Sequence, residues 1–188
     1  VKRRTTVLCA ITTMFTCVAL EPAGDCAELV CIGDDSDVVT TADIGEELRR
    51  DWEVWVPKQR ASLQPVNGKT LVDLPTYFDS GQPQRMPATS VRVFDTEVIL
   101  TAEGEWEWTF EPGVKRNFDV PGSKYDDPNP QVAYTYETAG PRVVELTTTW
   151  WGRFRVGGFG PYDIENPATQ GPQRLDLQVV ESGPVLGR

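Results

Sequence analysis

From Pro57 onward the chain carries no apolar repeat of helical period. Short runs of β-branched and aromatic residues alternate with polar ones instead, between Gly, Pro, Asn and Asp. Alternation at period two sends every second side chain to the same face, and a sheet apolar on one face needs a second layer to cover it. Eight runs fit: Lys69 to Leu74, Val91 to Phe94, Glu97 to Ala102, Glu105 to Phe110, Gln131 to Glu137, Arg142 to Trp150, Arg153 to Val156 and Arg174 to Val180. The expected fold class is all-β, a two-sheet sandwich of about seven to eight strands. Glu103-Gly104 is expected to turn a hairpin between Val98–Ala102 and Trp106–Phe110, because its glycine can take a positive φ. Segments 111–130 and 157–173 read as long Pro- and Gly-rich loops.

Trp106, Trp108 and Phe110 alternate, so their rings share one face, as do Tyr134 and Tyr136 on their own strand. Large rigid rings suit a sandwich interior, and that is the reading given to this set. Trp150 and Trp151 are sequence neighbours and must face opposite ways. One is expected in the core; the other is either covered by the 157–173 loop or left exposed as a stacking surface for a sugar or a partner.

One segment reads as a helix. Ile44, Leu48, Trp52 and Trp55 recur at spacings of four, four and three, which places them on one face. Asp43 and Glu46 fit a capping box and Pro57 a stop, so a helix is predicted over 44–54, its Trp-bearing face docked on the domain that follows.

Absence of histidine removes Ser-His-Asp and Cys-His catalysis and His-ligated zinc. The formal net charge of −10 repels phosphates, which argues against a nucleic-acid partner. Much of that charge lies in residues 20–56, with eleven acids against two bases. Lys2, Arg3 and Arg4 precede an uncharged stretch from Thr5 to Val18, and Cys17-Val18-Ala19 offers a small-x-Ala cut, so 1–19 reads as a signal peptide. The stretch is too short for a spanning helix, so no transmembrane span is expected in the mature chain. A secreted or cell-envelope location is expected, where Cys26 and Cys31, with four residues between them, are candidates for a small local disulfide. The domain plan is a signal peptide over 1–19, an acidic tail with the helix over 20–56, and a Pro/Gly-rich lead-in with strand 69–74 over 57–88. The sandwich proper occupies 89–188.

Few residues carry a chemical signal. Asp126 and Asp127 in one loop, and Asp163 and Glu165 in another, are the carboxylates that could serve a glycosidase, which needs two in a cleft. Asp34-Asp35-x-Asp37 lacks the glycine and distal glutamate of a calcium loop, and Gly157-Gly158-x-Gly160 is followed by Pro161 rather than a helix. No metal site or cofactor is expected.

Trp108-Thr109-Phe110, the segment Val132-Ala133-Tyr134-Thr135-Tyr136-Glu137-Thr138-Ala139-Gly140, and Thr147-Thr148-Thr149-Trp150 together resemble PKD domains of secreted actinobacterial proteins. Lys69 to Thr76 is similar to their leader strand and Leu175 to Glu181 to their closing strand. The resemblance spans roughly 65–186 and implies an immunoglobulin-like sandwich, an extracellular interaction or spacer module without catalysis. Within it Tyr136 is placed as a tyrosine corner, with Gly140 letting the chain turn into the next strand. The chain departs from the family at Phe110-Glu111-Pro112-Gly113, where Pro112 replaces a glycine-flanked acidic turn, and at Tyr134-Thr135-Tyr136, where a tyrosine replaces histidine. The expected function is contact with an envelope protein or polysaccharide, with Trp151 and Asp163 as binding candidates and Trp108, Phe110, Tyr136, Gly140 and Trp150 as structural residues. The alternatives are a small carbohydrate-active hydrolase using loop carboxylates and a rigid spacer in a surface assembly.

Overall fold

The computed structural model describes residues 39–123 and 128–181. Among these, helix α1 (Thr41–Trp55) precedes ten strands: β1 (Ser62–Gln64), β2 (Lys69–Leu71), β3 (Pro75–Asp79), β4 (Arg85–Val93), β5 (Thr96–Glu111), β6 (Val114–Phe118), β7 (Ala133–Thr135), β8 (Gly140–Val156), β9 (Phe159–Asp163) and β10 (Ala168–Val180). The all-β, two-sheet expectation holds. A small sheet has the order β1-β3-β7, and a large one the order β2-β10-β8-β5-β4, with β6 pairing β5 and β9 pairing β8. No helix among the described residues is long and apolar enough to cross a membrane.

The strands are longer than the sequence runs suggested. Glu103-Gly104 turns no hairpin: β5 passes straight through it for 16 residues, roughly 50 Å of extended chain. Likewise Arg142–Trp150 and Arg153–Val156 are one strand, β8, antiparallel to β5 from Val98↔Val156 to Thr109↔Glu145. Both apparent breaks are glycines that admit a ring. A Cβ on Gly104 would stand 2.7 Å from the Trp106 ring, and one on Gly152 would stand 2.3 Å from Trp52. The 157–173 stretch is no loop either, since it forms β9 and the start of β10. The Gln131–Glu137 run shrinks to Ala133–Thr135, and 57–88 contributes β1 to β3 rather than a single strand.

Inward side chains of β5 and β8 form one continuous face: Val98, Leu100, Ala102, Trp106, Trp108 and Phe110 on β5, and Val144, Leu146, Thr148, Trp150, Phe154 and Val156 on β8, are all buried. Two covers share it. Over one half lies the small sheet, whose Phe78 ring centroid sits 5.3 Å from Trp108 and 5.0 Å from Phe110. Over the other half lies α1, with Ile44, Leu48 and Trp52 buried and Gly45 facing the Phe154 ring.

The helix begins one cap earlier than predicted. Thr40, not Asp43, is the N-cap: its hydroxyl accepts from the Asp43 N–H, and its own N–H donates to Asp43 Oδ2 at 2.8 Å. The Thr40 hydroxyl also donates to this carboxylate, which with the backbone bond holds Asp43 below the usual carboxylate range. At the other end Trp55 does not join the docked face and is 39% exposed; Val56, four residues after Trp52, is buried in its place.

A polar cluster sits at the seam between the two covers. Gln82 Oε1 accepts from Trp106 Nε1 at 2.9 Å and from the Thr148 hydroxyl at 3.0 Å, while its Nε2 donates to the Pro57 carbonyl at 2.6 Å. Gln59 Nε2 donates to Thr148 Oγ1 at 2.7 Å and to the Gln170 carbonyl at 3.1 Å. Thr148 therefore both donates and accepts, and the linker after α1 is tied to β8 and β10.

Two consequences are measurable. Gly152→Ala forces a methyl into the Trp52 ring at an ordinary strand φ, so overpacking should cost about 1–3 kcal/mol, read as a lower urea midpoint. Burial pushes the Tyr136 phenol well above its ordinary value, reinforced by Tyr134 and Glu111 and opposed by Arg142. The folded state thus holds that proton longer than the unfolded chain. Its contribution is complete below about pH 10 and is lost as the pH rises beyond. Urea midpoints of Tyr136→Phe should fall less steeply than those of the parent above about pH 10.

Candidate functional site

Because both covers lie on one side of the large sheet, its other face meets solvent. The outward residues of β8 include Val143, Glu145, Thr147, Thr149, Trp151 and Arg153, and those of β5 include Ile99, Thr101, Glu103, Glu105 and Glu107. Trp150 is fully buried, its ring edge-on to Trp106 at a centroid distance of 5.8 Å. Trp151 is 54% exposed, so the loop-covered alternative gives way to the exposed one. Alternation settles which indole goes where: Trp150 shares parity with Leu146 and Thr148, and Trp151 with Thr147 and Thr149.

Trp151 lies directly opposite Glu103 across the β5–β8 ladder, with Thr149 and Arg153 as its same-face neighbours on β8. Glu103 is paired with Arg85 at 3.5 Å, and Arg153 with Asp163 at 3.3 Å. The two binding candidates from the sequence therefore come together through a residue the sequence reading passed over, since Arg153 stands two places from Trp151 and holds Asp163. Further along, Glu105 accepts from Asn117 Nδ2 at 3.1 Å, and Lys115 pairs Glu107 at 2.8 Å and is held above the usual lysine range by that carboxylate. The result is an indole face set among hydroxyls and paired charges on a strand laddered to β5 at Trp151 itself and, on its other side, to β10 up to Trp150 and to β9 from Arg153.

A groove of about 620 Å³ lies on the covered side, at the sheet edge between α1 and the β8–β9 hairpin, lined in part by Gly45, Glu46, Arg49, Tyr162, Asp163 and Glu165. It brings the carboxylates Asp163 and Glu165 to one cleft. The Asp163 side chain is 86% exposed and paired with Arg153, which is not the water-excluded setting of a general acid. Asp126 and Asp127 lie outside the described residues, as do Cys26, Cys31 and the Asp34, Asp35, Asp37 group. Among the described residues no group of three or more Cys, Asp or Glu is arranged to hold a metal ion. Gly157, Gly158 and Gly160 take positive φ in and after the β8–β9 turn.

The remaining sequence candidates belong to the interior. Trp108 and Phe110 are fully buried and stack with near-parallel rings, and Phe110 stacks on Tyr134 at 4.7 Å. Tyr136 is buried, and its hydroxyl donates to the Phe110 carbonyl at 3.3 Å, a bond across to β5 rather than to backbone a few residues upstream. The Tyr134 hydroxyl donates to Glu111, which raises the Tyr134 phenol above its usual range with burial adding to it. Gly140 opens β8 at φ 137°.

Comparison with protein families, with curated proteins and with solved structures finds no match for this chain. The outer face must be read from its own residues. Its exposed indole is separable from the core: Trp151→Ala should change unfolding free energy by less than about 0.5 kcal/mol, whereas Trp150→Ala should cost about 3–5 kcal/mol, both from denaturant titration.

Proposed function

We propose that this chain is a non-catalytic contact module of the cell envelope or extracellular space, built on an immunoglobulin-like sandwich related to PKD domains, with the outer face around Trp151 as its contact surface. Strand order supports the sandwich type. In immunoglobulin-like domains the strands A, B and E are neighbours in one sheet and C, F and G in the other. Taking β1, β3, β5, β7, β8 and β10 as A, B, C, E, F and G reproduces both orders, all antiparallel. On that assignment β4 with the first half of β5 extends the B–C connection, and the second half of β8 with β9 extends the F–G connection. Both connections lie at the end of the fold where immunoglobulin-like domains place binding loops, and Trp151 stands on the second extension.

The observation that carries the reading is the exposed indole itself. A half-exposed Trp on a ladder-fixed strand retains apolar area that folding does not bury, and that area is available to a partner. The basic start, the uncharged stretch and the Ala19 cut support export of the chain. The test is capture of the protein on immobilised envelope polysaccharides and purified surface proteins, with Trp55→Ala as an exposed-indole control on the helix. Capture should persist in that control and fall in Trp151→Ala. Capture equal in all three proteins, or none of the native chain on any surface, defeats the proposal.

A further inference from the structure

The geometry points to a neutral polysaccharide, lying across the β5–β8 ladder with a sugar ring stacked on Trp151, as the partner of this face. The inference rests on the outer face being the contact surface, and it follows from how charge and apolar area are arranged there. Beside Trp151 most formal charges come in opposite-sign pairs: Glu103 with Arg85 at 3.5 Å, Arg153 with Asp163 at 3.3 Å and, farther off, Glu107 with Lys115 at 2.8 Å, while Glu105 and Arg155, outside these pairs, are of opposite sign to each other. A charged polymer gains little from charges that are already paired, whereas a neutral one still finds carboxylate oxygens and guanidinium N–H groups for its hydroxyls. Glu105, already bonded to Asn117, adds an acceptor.

Apolar area separates a glycan from a protein as the occupant. A stable protein interface buries about 800 Å² per partner, with a core of several apolar anchors. Among the described outward residues of β5, β8 and β10, Trp151 is the one aromatic. Ile99 and Val143, the exposed apolar residues on this face, are displaced from it, one opposite Arg155 and the other eight residues back along β8. One ring amid Thr101, Thr149 and paired charges suits a pyranose, whose apolar face stacks while its equatorial hydroxyls bond outward. The β5–β8 ladder beneath, free of register shifts, also gives a chain of sugars a fixed track.

The test is affinity electrophoresis and pull-down of the full chain on a neutral β-glucan, on uncharged chitin and on anionic alginate, at about 50 and 500 mM salt. Retention on a neutral polymer at both salt concentrations is expected, roughly tenfold weaker for Trp151→Ala and largely kept by Trp151→Phe, with unchanged melting temperatures. Preference for alginate that disappears in high salt overturns the inference, as does retention indifferent to Trp151→Ala. Failure on every polysaccharide, with Trp151-dependent binding to a purified surface protein, removes the glycan and leaves the face as a contact surface. Loss of both removes the face as well.

Discussion

Gly104 and Gly152 lie diagonally across the β5–β8 ladder, and the three indoles that meet there need those positions bare. Trp106 lies over Gly104 with the edge of Trp150 close by, and Trp52 lies over Gly152 while its Nε1 donates to the Trp150 carbonyl at 3.4 Å. Each ring removes a large apolar area from water, and none can do so unless the backbone beneath carries no Cβ. The same two glycines thus admit Trp106 into the sheet interior and let α1 close on the other half. Both covers, and the continuity of β5 and β8 beneath them, depend on that close approach.

Joining two covers on one face creates a seam, and a seam exposes backbone polar groups to the interior. Gln59, Gln82 and Gln170 fill it. The amides of Gln59 and Gln82 reach the Pro57, Leu146 and Gln170 carbonyls and the Trp106 indole N–H, and Gln170 Oε1 accepts from Gln59 and Gln82, while Gln170 Nε2 is buried without a partner. Such a network ties elements far apart in sequence and works only when its members are all in place. It also explains why the segment after α1 runs across the seam: Gln59 and Ala61 bond through their N–H groups to the side chains of Gln170 and Gln173 on β10.

Period-two alternation made the strands legible, together with the shared face of Trp106, Trp108 and Phe110 and the opposite facing of Trp150 and Trp151. The two glycines misled because Glu103-Gly104 and Gly152 look like punctuation, and nothing in sequence separates a glycine that turns from one that admits a ring. That ambiguity split β5 and β8 and hid the extended half on which Trp151 stands. Near the helix start Asp43-x-x-Glu46 and Thr40-x-x-Asp43 both fit a capping pattern, and only the backbone at Thr40, with ψ 165°, decides for the one three residues earlier. Arg153 went unnoticed for a related reason. Its role comes from Asp163 being brought opposite it by the β8–β9 hairpin, a long-range register with no local signal.

A sheet covered on one face has an exposed second face by construction, and pairing of charges is one way to keep it soluble. Opposite-sign neighbours across the ladder, such as Arg174 with Glu145 at 2.9 Å, each contribute little to stability in water. Their effect is on local charge: each pair keeps the face polar while adding no net charge of its own. An exposed indole in that setting is the one aromatic surface among the described outward residues of β5, β8 and β10. The strand beneath it is laddered to β5 at Trp151 and to β10 and β9 immediately before and after, so a ligand stacking there would order little of the protein, and less of the contact energy would be offset by lost conformational freedom.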